Sequence, residues 1–342
     1  MFFNKLKLAI VLFILCSNYA QAGIKIVGYL PTYRWDKLEQ LDFKHLSHVC
    51  AAFANPDESG NLSIEQDLSS FVEICHKNNT KAMVSICGGG EYSWGEKYKV
   101  YEQLIETPKS RTKFISKIMK FVLENKLDGL DNDMEGKALE LANYNIFSQE
   151  LADSLHAHKL EFSAALGVGG QWGVDLLTKE TIAKYDFIMT MSYGGVGEWN
   201  WEQKPDEASF LKYQNDVNYL IKLGMNKQKA IGGIPFYYVE YPINKQENYN
   251  LFNKSICDLY NSQPKTLTEK QDTIKLANGS IIYQNTTATY LKKVDVAIQN
   301  NSGLMIWELG QDCFDEKSIF QIIVEYLDKK GIQIEKMTPK KR

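Results

Sequence analysis

Between Leu127 and Glu135 the chain reads Leu-Asp-Gly-Leu-Asp-Asn-Asp-Met-Glu, which sets Asp131, Asp133 and Glu135 at every second position. On a β-strand, side chains with that spacing point to one face. Three carboxylates on one face repel one another when all are ionised. The repulsion raises at least one pKa, so a protonated acid stands beside an ionised neighbour near neutral pH. That pairing is the requirement of general acid catalysis. Asp128 has the opposite parity and is expected to support the strand or a neighbouring helix. The apolar helical stretch before the run, and Gly129 at its entry, favour a strand over a solvated acidic loop or a divalent metal site.

Such a strand needs a scaffold. From Gly23 onward, β-branched apolar runs alternate with amphipathic helical stretches, the pattern of a parallel sheet built from βα units. Eight strand candidates lie near residues 24–30, 46–54, 81–87, 127–135, 160–167, 185–193, 229–236 and 303–308. Helices are predicted over 108–127, 143–157, 205–223, 287–299 and 315–327. In the first of these, Phe114, Ile118, Phe121 and Val122 recur at helical spacing behind a Thr107-Pro108 start. Eight such units fit one (β/α)8 barrel, a fold that commonly uses about 250 residues before insertions, and residues 23–330 are assigned to it. Between Phe236 and Thr287 the chain turns polar and rich in Asn, Lys and Gln, which reads as a loop excursion between the seventh strand and its helix. Within it, Ile274–Leu276 and Ile281–Tyr283 flank an Asn278-Gly279 turn and predict a small hairpin.

The first 22 residues carry Lys5 and Lys7, an apolar run from Leu8 to Leu15, and Ala20-Gln21-Ala22. They read as a cleavable export signal, predicting a soluble protein released outside the cell or into the periplasm. Cys16 follows the bulky Leu15, unlike a lipidation site. No later stretch approaches the ~18 apolar residues that span a bilayer, so stable membrane insertion is not expected. A net charge of −3 without long charged blocks gives no footprint for nucleic acid. Residues 331–342 read as a basic tail, whose end from Lys336 to Arg342, with Lys340, Lys341 and Arg342, is expected to fray in solvent. A monomer is expected.

Beyond the signal there are five cysteines: Cys50, Cys75, Cys87, Cys257 and Cys313. They lack zinc-site spacing, and an odd number leaves at least one unpaired. Cys50 and Cys87 fall on strands adjacent in a barrel, so they form either a bridge or two buried thiols. His45 and His48 have no third ligand nearby, and no metal is expected. Gly88-Gly89-Gly90 lacks the Gly-Lys-Ser/Thr ending of a phosphate loop, and Trp172 stands where Gly167-x-Gly169-Gly170 would need a further dinucleotide-site glycine. No cofactor is implied.

The spacing Asp128-x-x-Asp131-x-Asp133-x-Glu135 resembles the signature of glycoside hydrolase family 18, the chitinase and endo-β-N-acetylglucosaminidase family. Other segments extend the resemblance along most of the chain. Ile26–Pro31 and His48–Ala54 are similar to the family's first two strands, and Val84–Gly89 to its Ser-x-Gly-Gly third strand, with Cys87 in place of a glycine. Met189–Tyr193, Ile231–Tyr237 and Gly303–Glu308 are similar to the sixth, seventh and eighth. Against relatives with a full α+β insertion after the seventh strand, the excursion here reads as small, implying an open cleft.

The resemblance implies that Glu135 protonates the glycosidic oxygen, that Asp133 orients the substrate acetamido group, and that Asp131 shares a proton with Asp133. It implies that Tyr193 donates its hydroxyl to the acetamido carbonyl, that Met191 lines the same pocket, and that Trp307 floors the cleaving subsite. Tyr29 and Tyr237, in the first and seventh strands, are further sugar-contact candidates. Tyr92, Trp94, Trp172, Trp199 and Trp201 follow predicted strands and fall on rim loops suited to stacking on sugars. Three positions depart from the family pattern: Gly194 follows the tyrosine where Asp or Asn is usual, Met134 replaces an aromatic, and Asn132 replaces an apolar residue.

The implied activity is retaining, substrate-assisted hydrolysis of β-1,4-linked N-acetylglucosamine in chitin or chito-oligosaccharides. An endo-β-N-acetylglucosaminidase acting on N-glycans or peptidoglycan would use the same chemistry. A non-catalytic glycan-binding lectin on the same barrel is the alternative from another class.

Overall fold

The alternating apolar runs close into a ring of parallel strands. In a computed structural model, which describes residues 23–169, 173–195, 206–241, 254–263 and 265–338, the strands are β1 (Lys25–Pro31), β2 (His48–Pro56), β3 (Lys81–Cys87), β4 (Gly129–Asp133), β5 (Glu161–Leu166), β6 (Phe187–Thr190), β7 (Ala230–Pro235) and β8 (Gly303–Trp307). Each pairs in parallel with its sequence neighbours, and β8 pairs with β1. This is the expected (β/α)8 barrel. The predicted signal at 1–22 lies outside the described residues, as do Cys16, Trp172, Trp199, Trp201 and the last four residues. No described helix is long and apolar enough to cross a membrane.

Two layers of core follow from strand parity. Val27, Cys50, Met83, Phe187, Ile231 and Met305 pack inside the barrel. Outward residues such as Ile26, Val84, Leu130 and Ile188 pack beneath the helices. The helix Pro108–Glu124 illustrates the logic: Thr107 accepts from the Ser110 amide while Ser110 answers the Thr107 amide, and proline opens the first turn. Its buried face is Phe114, Ile115, Ile118 and Val122. Between β1 and β2 the connection is built from 3-10 turns, Thr32–Gln40 and Phe43–His45, in place of an α-helix.

The excursion after β7 carries more than a hairpin. The predicted pair forms, Thr273–Lys275 with Ile281–Tyr283, and it extends a sheet that also contains Tyr237–Tyr241 and Lys254–Ser255. Two short helices, Ile256–Ser262 and Lys265–Thr268, complete a small α+β wall. A disulfide joins Cys257 in this wall to Cys313 beyond β8. Cys50, Cys75 and Cys87 are free and buried, so the bridge considered between Cys50 and Cys87 does not form. Register explains this: Cys50 lies level with Met83, four residues before Cys87. That is about 13 Å along the strand, beyond disulfide reach. The tail is also less frayed than expected up to residue 338. Ile334 bridges Ile24, and Lys336 donates to the Leu46 carbonyl at 2.7 Å.

Candidate active site

β4 ends at Asp133, but the backbone stays extended through Glu135 (φ −119°, ψ 169°), which then opens the short helix Gly136–Leu139. The every-second-residue parity therefore carries past the strand to the C-terminal mouth of the barrel, where enzymes of this architecture hold their reactive groups. Gly136 adopts φ +47°, and a Cβ there would lie 2.7 Å from the Trp94 ring. The bare glycine thus lets the indole lie against the turn that presents Glu135.

The three acids differ in environment. Asp131 is fully buried and level with Ser85 on β3 and Ser163 on β5. Both serine hydroxyls donate to it at 2.6 Å, and so does the Tyr29 hydroxyl from across the barrel. Burial raises the Asp131 pKa, and these three donors pull it back. Asp133 has no such help. Burial, then the charges of Glu135 and Asp131, push it well above the carboxylate range, and its Oδ1 is buried without a hydrogen-bond partner among the described residues. Burial lifts Glu135 to about 7, against a hydrogen bond from Trp94. Asp128, as expected, supports the fold, accepting from the Ala82 amide at 3.0 Å and pairing with His76 at 2.8 Å.

A cavity of about 800 Å³ opens over Asp133 and Glu135. Trp94, Met191, Tyr193, Tyr237 and Trp307 line it, so the structure brings the described sugar-contact candidates together. The Trp307 ring lies 5.4 Å from Tyr29 and stacks on Phe53 at 5.9 Å. Tyr29 lines the cavity as well, but its hydroxyl is committed to Asp131. Tyr92 is turned away, its hydroxyl 3.5 Å from the Pro56 carbonyl and its ring against Tyr101. Burial, then the charges of Asp133, Glu135 and Asp131, raise the Tyr193 pKa far above its usual value, which keeps the hydroxyl protonated as a donor.

Sequence reasoning missed several members of this site. Ser85 stands in the Ser-x-Gly-Gly segment, but its partner, like the whole role of Ser163, emerges only when β3, β4 and β5 are placed side by side. Tyr33, 63% exposed on the turn after β1, lines the cavity opening. Glu207 reaches the site from a segment outside every motif. The departures are absorbed in different ways. Met134 is buried core, while Asn132 points outward and donates to the Tyr144 hydroxyl at 3.1 Å. For a metal, the described residues offer one cluster, His48, Glu161 and Glu335, at the far end of the barrel. Lys81 already pairs with both of its carboxylates, and Lys25 with Glu335.

Comparison with known proteins agrees with this architecture. Residues 25–312 match the profile described as Glycosyl hydrolases family 18. The crystal structure of a family 18 chitinase from the chitin utilization locus of Flavobacterium johnsoniae superposes with a TM-score of 0.80, at 29% identity over 93% of this chain and 98% of the other. A chitinase-like effector of Moniliophthora roreri is 27% identical over 68% of this chain and 63% of its own length. The probable chitinase 2 of Drosophila melanogaster is 22% identical over 84% of this chain and 70% of its own.

Proposed function

The chain belongs to glycosyl hydrolase family 18, and from that membership we propose that it is an exported, retaining hydrolase of β-1,4-linked N-acetylglucosamine in chitin or chito-oligosaccharides. The observation that carries the reading is Glu135, a carboxyl group held protonated to about pH 7 at the edge of an aromatic cavity. A proton donor of that pKa is matched to a leaving glycosidic oxygen.

The remaining steps follow from the acids' surroundings. Asp131 accepts three hydroxyl hydrogen bonds, so it is the best stabilised anion of the set. Asp133, raised by burial and then by its neighbours' charges, holds the proton next and presents it either to Asp131 or to the substrate's acetamido group. Tyr193 donates to the acetamido carbonyl. The acetamido oxygen attacks the anomeric carbon as Glu135 protonates the leaving oxygen, giving an oxazolinium ion, and water activated by the Glu135 carboxylate opens it. Two inversions leave the configuration retained, with no protein nucleophile. Trp307 supports the sugar's apolar face. Residues 1–22 direct export in this reading, which the Cys257–Cys313 bridge supports because such bridges persist in oxidising compartments.

A fluorogenic chitobioside, an N-glycoprotein and peptidoglycan assayed in parallel test the proposal. Chitobioside cleavage with the β-anomer released first, seen by NMR before mutarotation, is the expected result. An initial α-anomer, or ready cleavage of a cellobioside, would overturn substrate assistance. Binding of chito-oligosaccharides without turnover would replace the hydrolase by a glycan-binding protein.

A further inference from the structure

Gly194 leaves the position after Tyr193 without a side chain, yet a carboxylate still reaches it. Glu207 Oε1 accepts from the Gly194 amide at 2.9 Å and from the Tyr237 hydroxyl at 2.7 Å. The Tyr237 ring in turn meets Tyr193 edge-on, 6.1 Å between centroids. Gly195 runs so close to the same segment that a Cβ would lie 2.1 Å from the Asp206 carbonyl oxygen. Glu207 is 5% exposed, so this contact is an interior one.

The segment is anchored from behind. Lys293, fully buried on the helix Thr287–Asn300, donates to the Ala208 carbonyl at 2.7 Å and to Asn285 Oδ1 at 2.6 Å. Asn285 Nδ2 donates to the same carbonyl at 2.9 Å. A buried ammonium is tolerated only with hydrogen bonds and opposite charge close by, and Asp272, Asp206 and Glu207 supply that charge.

Gly194 has φ +70°, with nothing within 4 Å of where a Cβ would stand. The backbone just after Tyr193 therefore has glycine's full freedom and no side-chain packing to restrain it. We propose that Glu207 is a positioning residue for the reaction: it supplies from elsewhere in the chain the carboxylate that position 194 lacks, and fixes Tyr193 for the acetamido group. The inference rests on the hydrolase reading of this cavity.

Kinetics and hydrogen exchange on Glu207 variants of the full chain test it. With the fluorogenic chitobioside, Glu207→Ala should lower kcat about tenfold with little change in KM, since a transition-state contact is misplaced. Glu207→Gln, whose amide oxygen still accepts both bonds, should stay within about threefold. In a Tyr193→Phe background Glu207→Ala should add less than about twofold, because coupled residues are not additive. An additive double variant, or a Gln variant as slow as Ala, would overturn the proposal. Without substrate, exchange of the Gly194 amide should quicken about tenfold in Glu207→Ala and remain slow in Glu207→Gln. Unchanged exchange in the Ala variant would also overturn it. If the wild-type protein does not cleave the chitobioside, the hydrolase reading fails and the exchange arm alone decides. Should Glu207→Ala fail to fold, Glu207→Asp replaces it, keeping the charge beside Lys293 but falling one methylene short.

Discussion

At the mouth of the barrel Asp131, Asp133 and Glu135 are all raised from their ordinary values, whereas at its base Glu161, on the neighbouring strand, is held down at about 2. Both clusters are largely buried, and burial by itself raises every one of these groups. The difference lies in the company. Glu161 meets His48 at 2.8 Å and Lys81, which outweigh its desolvation. No described cation forms an ion pair with the three acids at the mouth, which have hydroxyls, an indole and one another. One barrel interior thus makes a structural anion at one end and a proton reservoir at the other, by the placement of lysine and histidine.

The largest effect should come from removing the proton at the mouth. Glu135→Gln is expected to lower chitobioside hydrolysis by about 10³-fold while circular dichroism and chitotetraose binding persist. An active variant would show that the raised carboxyl is not the acid.

Next is Glu161→Gln at the base. The folded pKa of about 2 lies below the ordinary 4.5, so its stabilisation is complete above pH 4.5 and disappears as pH falls through 2. Denaturant unfolding at pH 7 should show a loss of about 2 kcal/mol, discounted for a side chain that is 24% exposed. At pH 2 the loss should shrink.

Glu135→Gln should do the reverse to stability. Because its pKa rises from 4.5 to about 7, ionising the wild-type residue weakens the fold progressively between those values. Melting curves should find the variant equal to wild type below pH 4.5 and more stable above pH 7, by about 1–2 kcal/mol. Two glutamates substituted alike would then move stability in opposite directions, and a common sign would break the contrast.

The smallest effect concerns the donors to Asp131. Ser85→Ala removes one hydrogen bond that favours the ionised form. The acid limb of the pH–rate profile should move upward by about half a unit.

How much of this was legible in the sequence depends on whether a property is local. The parity of Asp131, Asp133 and Glu135 is a local property, so both the strand and the shared face could be read directly. The barrel could be read for the same reason, as a repeat of βα units. What pairs with what across strands could not. Ser163 and Lys81 are ordinary residues, and Ser85 a motif serine without a partner, until register sets them beside Asp131 or Glu161. Register also decides the cysteines, since adjacency of strands says nothing of height along them. Within the excursion the hairpin was legible from its Asn-Gly turn, but Tyr237–Tyr241 and Lys254–Ser255 escaped because strands of five and two residues are too short for alternation to rise above composition. Glu207 escaped because it follows no strand and sits in no motif, and only its contact with Gly194 and Tyr237 reveals it.

The Cys257–Cys313 bridge spans 56 positions and joins the excursion wall to the turn just beyond Trp307. In chain-entropy terms closing such a loop stabilises the native state by about 4 kcal/mol. The ring of parallel strands is hydrogen-bonded without it, but the wall that carries Tyr237 and Tyr241 against Trp307 is pinned through it. Oxidation is therefore an assembly step for the cleft as distinct from the barrel. A chain retained among reducing thiols would be a scaffold with one side of its cleft untied.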